Sequence, residues 1–345
     1  MEQFTIKDST IAFIGLGLIG GSLARGLKRA RPDIRIMAYM RTRSKLEQAK
    51  KDGIIDVILN GIGEDLLECD IIFLCTPVEY NAQYLSAIRP YLKPGALITD
   101  VGSTKTDIHK EILRQGLSHC FVGGHPMAGS EKTGYEHSTD HLLENAYYIV
   151  TPPEGLTEPS ASYSDNVCRL LAVAQAVGAI PLVLDYREHD RVTAAISHLP
   201  HLVASSLVNL VRDNDNEEEL MRTIAAGGFK DITRIASSSP VMWEQICMTN
   251  TENIKVLLRR YIQSLETIYE ELDRRDGSSI HRLFEESGAY RNTFSSHSRG
   301  PVAPDYSFTV DIVDEPGSIS TLAVLLASKG INIKNIGINH SREEG

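Results

Sequence analysis

The sequence predicts an α/β fold with a doubly wound sheet in its N-terminal part, an all-α second domain and a short βαβ segment at the C-terminus. Three observations predict it: a glycine-rich turn between a strand and a helix, strands that alternate with helices up to about residue 185, and a nearly unbroken helical periodicity beyond that point. We therefore expect three domains, at 1–185, 186–295 and 305–345.

The glycine-rich turn follows the first predicted strand. Thr10–Ile14 is a short apolar run, and residues 15–20 read Gly-Leu-Gly-Leu-Ile-Gly before a helical stretch. In this G-x-G-x-x-G pattern the glycines allow a tight turn, close approach of the backbone to a pyrophosphate and helix–strand packing. The alternative is a glycine-rich turn in another α/β protein. The pattern predicts a Rossmann-type dinucleotide site formed by Gly15, Gly17, Leu18, Ile19 and Gly20.

Composition narrows the function classes. The 345-residue chain is 42% hydrophobic and 23% charged, which is typical of a globular protein, and its net charge of −10 argues against nucleic acid as a partner. Its five cysteines are too scattered for a disulfide framework or a zinc site, which suits a reducing cytoplasm. We expect no metal, no signal peptide and no segment that is apolar for long enough to span a membrane.

The residues after the second predicted strand bear on the choice of cofactor. In a dinucleotide fold Ile34–Tyr39 should be followed by an acid that binds the ribose of NAD, but Met40 and Arg41 follow it. An arginine can bind the 2′-phosphate of NADP, so this position favours NADP or mixed use. Alternatively, Arg41 stacks on the adenine ring.

Three further predicted strands of one parallel sheet carry polar residues after their carboxyl ends. Thr76 and Pro77 follow the first of them, Ser103 the second and His125 the third. The strands span Asp70–Cys75, Ala96–Asp100 and Cys120–Gly123. Ligands bind at this edge of such a sheet, so these residues should line one crevice with the glycine turn. A neutral imidazole there can accept a proton from a hydroxyl as hydride leaves; alternatively, His125 only caps a helix.

Two stretches of the predicted helical domain carry candidate substrate contacts. Ser197 and His201 are four residues apart, so they share a helix face that suits an anionic or hydroxylated substrate; a metal site is the weaker alternative. The glycine pair that begins at Gly227 lets the backbone approach a ligand. Arg234 can bind a carboxylate with two hydrogen bonds, or it pairs with Asp231 at the surface.

Five motifs in this order resemble the prephenate dehydrogenase family and its arogenate dehydrogenase relatives. They are GLGLIGGS, DVGSTK, GGHPMAGSE, SHLPH and GGFKDITRIASSSPVMW, and the similarity runs from about Thr10 to Phe294. The resemblance implies a helical domain that forms a homodimer, and oxidative decarboxylation of prephenate to 4-hydroxyphenylpyruvate with reduction of NAD, on the route to tyrosine. The alternatives are arogenate as the substrate, NADP as the cofactor, or a cofactor-binding sensory protein without catalysis.

The resemblance also implies roles for single residues. His125 matches the catalytic base of the family, and Ser103 matches the serine that bonds the ring hydroxyl and orients this histidine. Arg234 matches the arginine that binds a substrate carboxylate. The remaining matches to residues that bind the substrate or lie near the entrance of the site are Ser197, His201 and Glu131.

The C-terminal segment resembles the first half of an ACT domain, a small module that senses amino acids. Tyr306–Val313 alternates like a strand, Gly317–Lys329 is helical and Ile331–Ile338 alternates again. A whole module needs about twice the residues that remain, so we expect a partial segment. We therefore expect tyrosine to inhibit by competing at the prephenate site rather than through this segment.

Overall fold

The computed structural model describes residues 9–130, 132–153, 165–294, 310–313, 315–331 and 333. The chain forms two compact units, 1–303 and 304–345. The first unit contains two sheets and twelve of the α-helices among the described residues, and the second contains one further helix.

A five-stranded parallel sheet forms the centre of the first unit, as the sequence predicted. Its strands are β1 (Thr10–Ile14), β2 (Arg35–Tyr39), β3 (Val57–Ile58), β4 (Ile71–Leu74) and β5 (Leu97–Asp100). The associated helices are α1 (Leu18–Ala30), α2 (Arg43–Lys51), α3 (Asn81–Ile88) and α4 (Thr106–Gln115). The strand order is β3-β2-β1-β4-β5, so the topological switch point lies between β1 and β4. The glycine turn after β1 therefore opens where such sheets bind ligands.

Apolar side chains cover both faces of this sheet, as expected for parallel strands that are buried on both sides. On one face Phe13 and Phe73 pair across β1 and β4 and stack, with ring centroids 5.0 Å apart, in a cluster that includes Leu23 of α1. On the other face Ile14 and Leu74 belong to a cluster with apolar residues of α3 and α4. The sheet is thus a rigid base for the turns at its carboxyl edge.

Three further strands form a second, mixed sheet. They are β6 (Gly123–Pro126), β7 (Tyr147–Thr151) and β8 (Ile180–Val183), with α5 (Asp165–Ala176) before β8. β6 and β7 are antiparallel, whereas β7 and β8 are parallel. A single parallel bridge between Ile98 and Phe121 connects the first sheet to the segment that leads into β6. The prediction of one fully parallel sheet is therefore wrong for these last strands.

The position of His125 also differs from the prediction. We expected Cys120–Gly123 to be the strand and His125 to follow it in a loop, whereas β6 begins at Gly123 and includes His125. Paired glycines usually indicate a turn, which misled the sequence reading. Here they allow close packing of strands, since a Cβ on Gly124 would lie 2.7 Å from the carbonyl oxygen of Asp100.

Residues 186–294 are almost entirely helical, as predicted. The helices are α6 (Tyr186–Thr193), α7 (Leu199–Asn214), α8 (Leu220–Ile224), α9 (Gly227–Thr233), α10 (Pro240–Thr249), α11 (Thr251–Asp273) and α12 (Gly277–Asn292). Ser239 caps α10 by accepting a hydrogen bond from the Met242 backbone N–H, and Pro240 occupies the first helical position. Local sequence signals therefore fix the start of this helix.

These helices leave much apolar surface exposed. Within α11, all of whose residues are described, Ile254 alone is buried. Leu265, Tyr269 and Leu272 are spaced by four and three residues, so they share one helix face, and they are 46%, 72% and 58% exposed. The amphipathic pattern that predicted the helix is thus not satisfied by burial within one chain.

α6, a π-helical segment at Ala194–His198 and α7 form one continuous helix from residue 186 to 214. Pro200 lies in the first turn of α7, and the π-type hydrogen bonds before it accommodate its missing N–H. With 29 residues and a mean hydropathy of 1.3, this helix is long and apolar enough to cross a membrane. By length and composition, the expectation that no segment could span a membrane is therefore wrong. The helix nevertheless carries Asp190 fully buried among protein groups, which suits a helix of a globular domain.

The second unit contains α13 (Ser318–Ser328), which lies within the predicted helix. Residues 310–313, at the end of the strand predicted at Tyr306–Val313, are described and are not a strand. The rest of that strand lies outside the described residues, as does most of Ile331–Ile338. The ACT-like character of the segment stays a prediction.

Candidate active site

The turn after β1 has the geometry that a dinucleotide requires. Gly15 has a φ of +96°, and an added Cβ would lie 2.5 Å from the Cys75 carbonyl oxygen, so a larger residue is strained there. A Cβ on Gly20 would lie 2.7 Å from the carbonyl oxygen of Gly15, which shows how closely α1 approaches the turn. An added Cβ on Gly17 would have no described atom beyond its neighbours within 4 Å. The space beside Gly17 is therefore open to a ligand.

Hydrogen-bond donors are available at the start of α1 and after β4. Gly17 is the N-cap of α1 and no side chain caps the helix, so the N–H groups of residues 18–20 (Leu-Ile-Gly) have no partner from a capping side chain. The hydroxyl of Thr76, after β4, is buried and has no hydrogen-bond partner among the described residues. Pro77 follows it at the start of a short helical turn. A free helix N-terminus and a spare hydroxyl fit the phosphates of a dinucleotide.

Arg41 lies just after β2, where the adenosine end of a dinucleotide binds in this fold. Its guanidinium carbon is 5.4 Å from the centre of the Tyr80 ring, in a cation–π arrangement. Met40, at the position where NAD-binding folds often carry an acid, is partly buried and packs against the apolar core. Contact with a 2′-phosphate and stacking on adenine both stay predictions for Arg41.

His125 lies at one end of a chain of three hydrogen-bonded side chains. It is 9% exposed, and its Nδ1 is 2.7 Å from Nε2 of His189. His189 is fully buried in α6, and its Nδ1 is 2.8 Å from Oδ1 of Asp190. The chain of groups therefore links β6 to the first helix of the predicted second domain.

Backbone donors hold Asp190 in place. Its Oδ1 accepts a hydrogen bond from the Lys105 N–H and its Oδ2 accepts one from the Thr106 N–H, both at 2.8 Å, at the start of α4. Burial raises the pKa of Asp190, but hydrogen bonds from His189 and Thr106 outweigh burial, so the pKa lies below its usual value. Asn250 also donates a hydrogen bond to the Asp190 carbonyl oxygen, at 2.7 Å. Asp190 is thus a fixed carboxylate.

A second buried carboxylate, Asp100 at the end of β5, joins the loop that carries Ser103 to β6. Its Oδ2 pairs with the Lys105 ammonium and accepts a hydrogen bond from the Gly102 N–H at 2.9 Å. Its Oδ1 accepts one from the Gly124 N–H at 3.2 Å. Ser103 lies between two of these partners in the chain, so the network fixes its loop against the strand that holds the histidine.

Burial keeps the histidines of this region uncharged near neutral pH. The pKa of His125 lies well below its ordinary value, because burial penalises the imidazolium and because the neighbouring His189 and Lys105 disfavour a further positive charge there. Burial likewise lowers the pKa of His198, to about 4. A neutral imidazole with a lone pair on one ring nitrogen can accept a proton, which is the chemistry that the sequence predicted for His125.

Three of the predicted substrate residues of the helical region, Ser197, His201 and Arg234, lie close together. His201 Nδ1 donates to the Ser197 carbonyl oxygen at 2.8 Å, and the Trp243 ring stacks on His201 with centroids 3.6 Å apart. The pKa of His201 is lowered by burial and by the positive charge of Arg234, against the effect of its hydrogen bond to Ser197. The Nε1 of Trp243 is buried without a hydrogen-bond partner in the described part of the chain. The guanidinium of Arg234 near this ring pair gives a second cluster with a charged donor suited to a carboxylate.

The roles of all the predicted site residues stay predictions, and for three of them the described structure gives no contact that bears on the role. Glu131 lies outside the described residues. Gly227 is exposed at the start of α9, with no described atom within 4 Å of an added Cβ. The described hydrogen bond of His125 goes to His189, so orientation of the ring by Ser103 stays a prediction.

The sequence analysis missed His189, Asp190 and Lys105. Two signals could have indicated them. An adjacent His-Asp pair follows the helix-capping Asp185, and a lysine ends the strand-end motif DVGSTK. Neither signal says which residues they contact, because their partners are distant in the chain.

The chain matches two family models over most of its length. The nucleotide-binding domain of prephenate dehydrogenase matches residues 23–177, and the dimerization domain of prephenate dehydrogenase matches residues 185–286. A prephenate dehydrogenase of Bacillus subtilis is 36% identical over 343 residues, which is 98% of this chain and 90% of that protein.

Solved structures are similar as well. The crystal structure of prephenate dehydrogenase from A. aeolicus, in complex with hydroxyphenyl propionate and NAD+, aligns with a TM-score of 0.76 and 30% identity, covering 85% of this chain and all of that chain. Arogenate dehydrogenase from Synechocystis aligns with a TM-score of 0.71 and 29% identity, covering 83% of this chain and 100% of that chain.

Two glycine variants separate cofactor binding from folding. Gly17→Ala should leave the free energy of unfolding within about 0.5 kcal/mol of the wild type, because its Cβ enters open space, but should weaken dinucleotide binding at least tenfold by occupying that space. Gly20→Ala should instead lower the free energy of unfolding by about 1–3 kcal/mol through overpacking. Calorimetric titration and denaturant unfolding measure the two effects, and undiminished dinucleotide binding by Gly17→Ala would contradict the site.

Proposed function

The chain belongs to the prephenate dehydrogenase family, and on that premise we propose that it converts prephenate and NAD to 4-hydroxyphenylpyruvate, carbon dioxide and NADH. The observation that supports this most directly is His125, a buried and uncharged imidazole in the same compact unit as a glycine turn shaped for a dinucleotide. Oxidation of a hydroxyl by hydride transfer needs a proton acceptor beside a hydride acceptor.

His125 provides the proton acceptor in the proposed reaction. NAD bound at the glycine turn would supply the hydride acceptor. As hydride leaves C4 of prephenate, His125 accepts the proton of the C4 hydroxyl, and C4 becomes a carbonyl carbon. The carbonyl then draws the electron pair of the breaking bond between the ring and the carboxylate into the ring, and carbon dioxide leaves. The ring becomes aromatic, and the His125 imidazolium returns its proton to the phenolate oxygen.

The remaining residues bind and orient the substrate. We assign Ser103 to the ring hydroxyl, because its loop is held against β6 by the buried Asp100 network. We assign Arg234 to a substrate carboxylate, because its guanidinium is charged and lies near His201, and we assign Ser197 and His201 to other polar groups of the substrate. Most of the rate enhancement would then come from positioning and from one proton acceptor.

The substrate residues also suit tyrosine as a competing ligand. Tyrosine carries a phenol and a carboxylate, as the product does, so it should bind at the same cluster.

The chain is proposed to work in the cytoplasm, in keeping with the five free cysteines of its described residues.

We further propose that residues 186–294 form a homodimer. Their exposed apolar residues, including Leu265, Tyr269 and Leu272 on one face of α11, resemble a surface that a second copy covers. The dimerization-domain match over 185–286 supports a second copy as the occupant of this surface. The continuous apolar helix from residue 186 to 214 lies in the same region and would gain burial in the same way.

Activity itself is tested by measuring NADH formation with prephenate and, separately, with arogenate, each with NAD and with NADP. The proposal expects the largest kcat/KM with prephenate and NAD, and carbon dioxide release equal to NADH formed. A larger kcat/KM with arogenate would show that arogenate is the preferred substrate, and the chain would then resemble the Synechocystis arogenate dehydrogenase in activity. Dinucleotide binding without turnover of either substrate would favour a sensory protein.

Replacing the proposed base should abolish most of the chemistry. His125→Asn should lower kcat by about 10²–10⁴-fold with little change in the KM for prephenate, because a general base acts on the transition state. In the wild type, kcat should stay constant from neutral pH down past the ordinary histidine pKa and fall only in more acidic solution, since the pKa of His125 lies well below its ordinary value. His119 is an exposed histidine, so His119→Asn is the matched control and should keep the wild-type kcat. Near-normal turnover by His125→Asn would show that His125 is not the general base.

Replacing the proposed carboxylate partner should weaken binding. Arg234→Gln should raise the KM for prephenate about 10- to 100-fold, which corresponds to one lost charge-assisted contact. The inhibition constant for tyrosine should rise by a similar factor, because both ligands would use the same arginine. Arg212→Gln, on the exposed end of α7, should change neither constant. A KM that rises while tyrosine inhibition is unchanged would place tyrosine at another site.

Charging the exposed face of α11 should separate the subunits. Tyr269→Asp places a carboxylate in the proposed interface and should shift the molecular mass in light scattering from dimer towards monomer. Leu113, which is also a large exposed residue but lies on α4, provides the control, and Leu113→Asp should leave the dimer intact. Monomeric wild type, or a dimer that tolerates Tyr269→Asp, would contradict this interface.

A further inference from the structure

We propose that Asp190 and His189 are positioning residues that fix the tautomer of His125, placing its ring proton on Nδ1 and leaving the lone pair of Nε2 free as the base. The inference rests on the proposed function of His125 as proton acceptor. It goes beyond that function because it names two residues of α6 that would set the direction from which the base acts. Its foundation is the line of contacts from His125 Nδ1 to His189 Nε2 and from His189 Nδ1 to Asp190 Oδ1, at 2.7 and 2.8 Å.

The direction of each hydrogen bond follows from the end of the line. A carboxylate has no proton to donate, so Asp190 can only accept. Two backbone N–H groups, from Lys105 and Thr106, already donate to its oxygens and favour the charged form. His189 must therefore carry its proton on Nδ1 and present a lone pair on Nε2. His125 must then donate from Nδ1, which leaves Nε2 without a proton.

Other charged and titratable groups nearby are already paired. The Lys105 ammonium bonds to Asp100, so it does not compete for Asp190 through its side chain. His198 Nδ1 lies 3.1 Å from the Asn250 side-chain amide, which gives that ring nitrogen a partner of its own. Thr193 donates its hydroxyl proton to the His189 carbonyl oxygen rather than to the ring. The three-residue line is therefore a separate path of hydrogen bonds.

The arrangement also stabilises the charge that forms during the reaction. When His125 accepts the substrate proton on Nε2, its Nδ1–H becomes a stronger donor to His189. The positive charge is then shared along the line towards Asp190, and no further proton has to move. Asp190 stays ionised, as the carboxylate does in a Ser-His-Asp triad, where a wrong tautomer costs about 10⁴-fold in kcat.

The tautomer can be measured in the wild-type protein without any substrate. Two-bond ¹H–¹⁵N correlation spectra of histidine-labelled protein distinguish an Nδ1–H from an Nε2–H imidazole, and the His125 signals are those missing from the spectrum of His125→Asn. We expect the Nδ1–H form for His125 and for His189. An Nε2–H form for His125 would overturn the proposal, whatever the activity of the enzyme. If instead the proposed function of His125 were wrong, His125→Asn would show normal turnover.

Variants of His189 test the consequence for catalysis. His189→Leu removes the acceptor and should lower kcat about 10²–10³-fold while the KM for prephenate and the dissociation constant for NAD stay within about twofold. His189→Gln keeps a side-chain carbonyl that can accept from Nδ1–H and should recover at least tenfold of that loss. The His189→Leu spectrum should contain the Nε2–H form of His125.

A matched control separates this role from general packing. His109→Leu also removes a buried imidazole, one that bonds to Thr151 and stacks on Tyr186, and it should change neither kcat nor the tautomer of His125. An equal loss of kcat in His189→Leu, His189→Gln and His109→Leu would show that these histidines matter only for packing. Failure of His189→Leu to fold would leave the wild-type spectrum and His189→Gln as the deciding measurements.

Discussion

The ion pair between Asp100 and Lys105 is the interaction on which the rest of the crevice depends. Both groups are buried, and each would be costly alone, since removal of one partner of such a pair typically destabilises a protein by about 3–5 kcal/mol. Asp100 also accepts backbone hydrogen bonds from the Ser103 loop and from β6, while the Lys105 N–H donates to Asp190. One pair therefore ties a strand end, a loop and two helices together. The stability of this region and the alignment of its polar groups have the same source.

The parts of the fold that the sequence predicted are those specified by local patterns. The apolar run of β1, the glycines after it and the periodicity of α1 lie within about twenty residues, and each glycine has its own steric reason. Ser239 and Pro240 likewise specify the start of α10 by themselves. The strand at Gly123–Pro126 was placed wrongly because its glycines are explained by residues distant in the chain, Thr151 beside Gly123 and Asp100 beside Gly124, and not by a turn.

The site shows the same division. His125, Ser197, His201 and Arg234 could be singled out because their residue types and motifs indicate chemistry on their own. His189 and Asp190 have meaning only through contacts with residues more than sixty positions away, which a single sequence does not contain. The periodicity of α11 has a similar ambiguity, because an apolar stripe does not say whether the same chain or a second copy covers it.

The buried histidines make the folded state itself sensitive to acid. His109, His125, His189 and His198 are all buried, and each has a pKa below its ordinary value in the folded chain. Unfolding exposes them to water, where they bind protons below about pH 6.5. In that range the unfolded chain holds more protons than the folded one, so the free energy of unfolding falls as the pH decreases. For His198 this range extends down to about pH 4 and for His109 down to about pH 3. Several histidines therefore take up protons when the acidified chain unfolds, so acid unfolding should be cooperative.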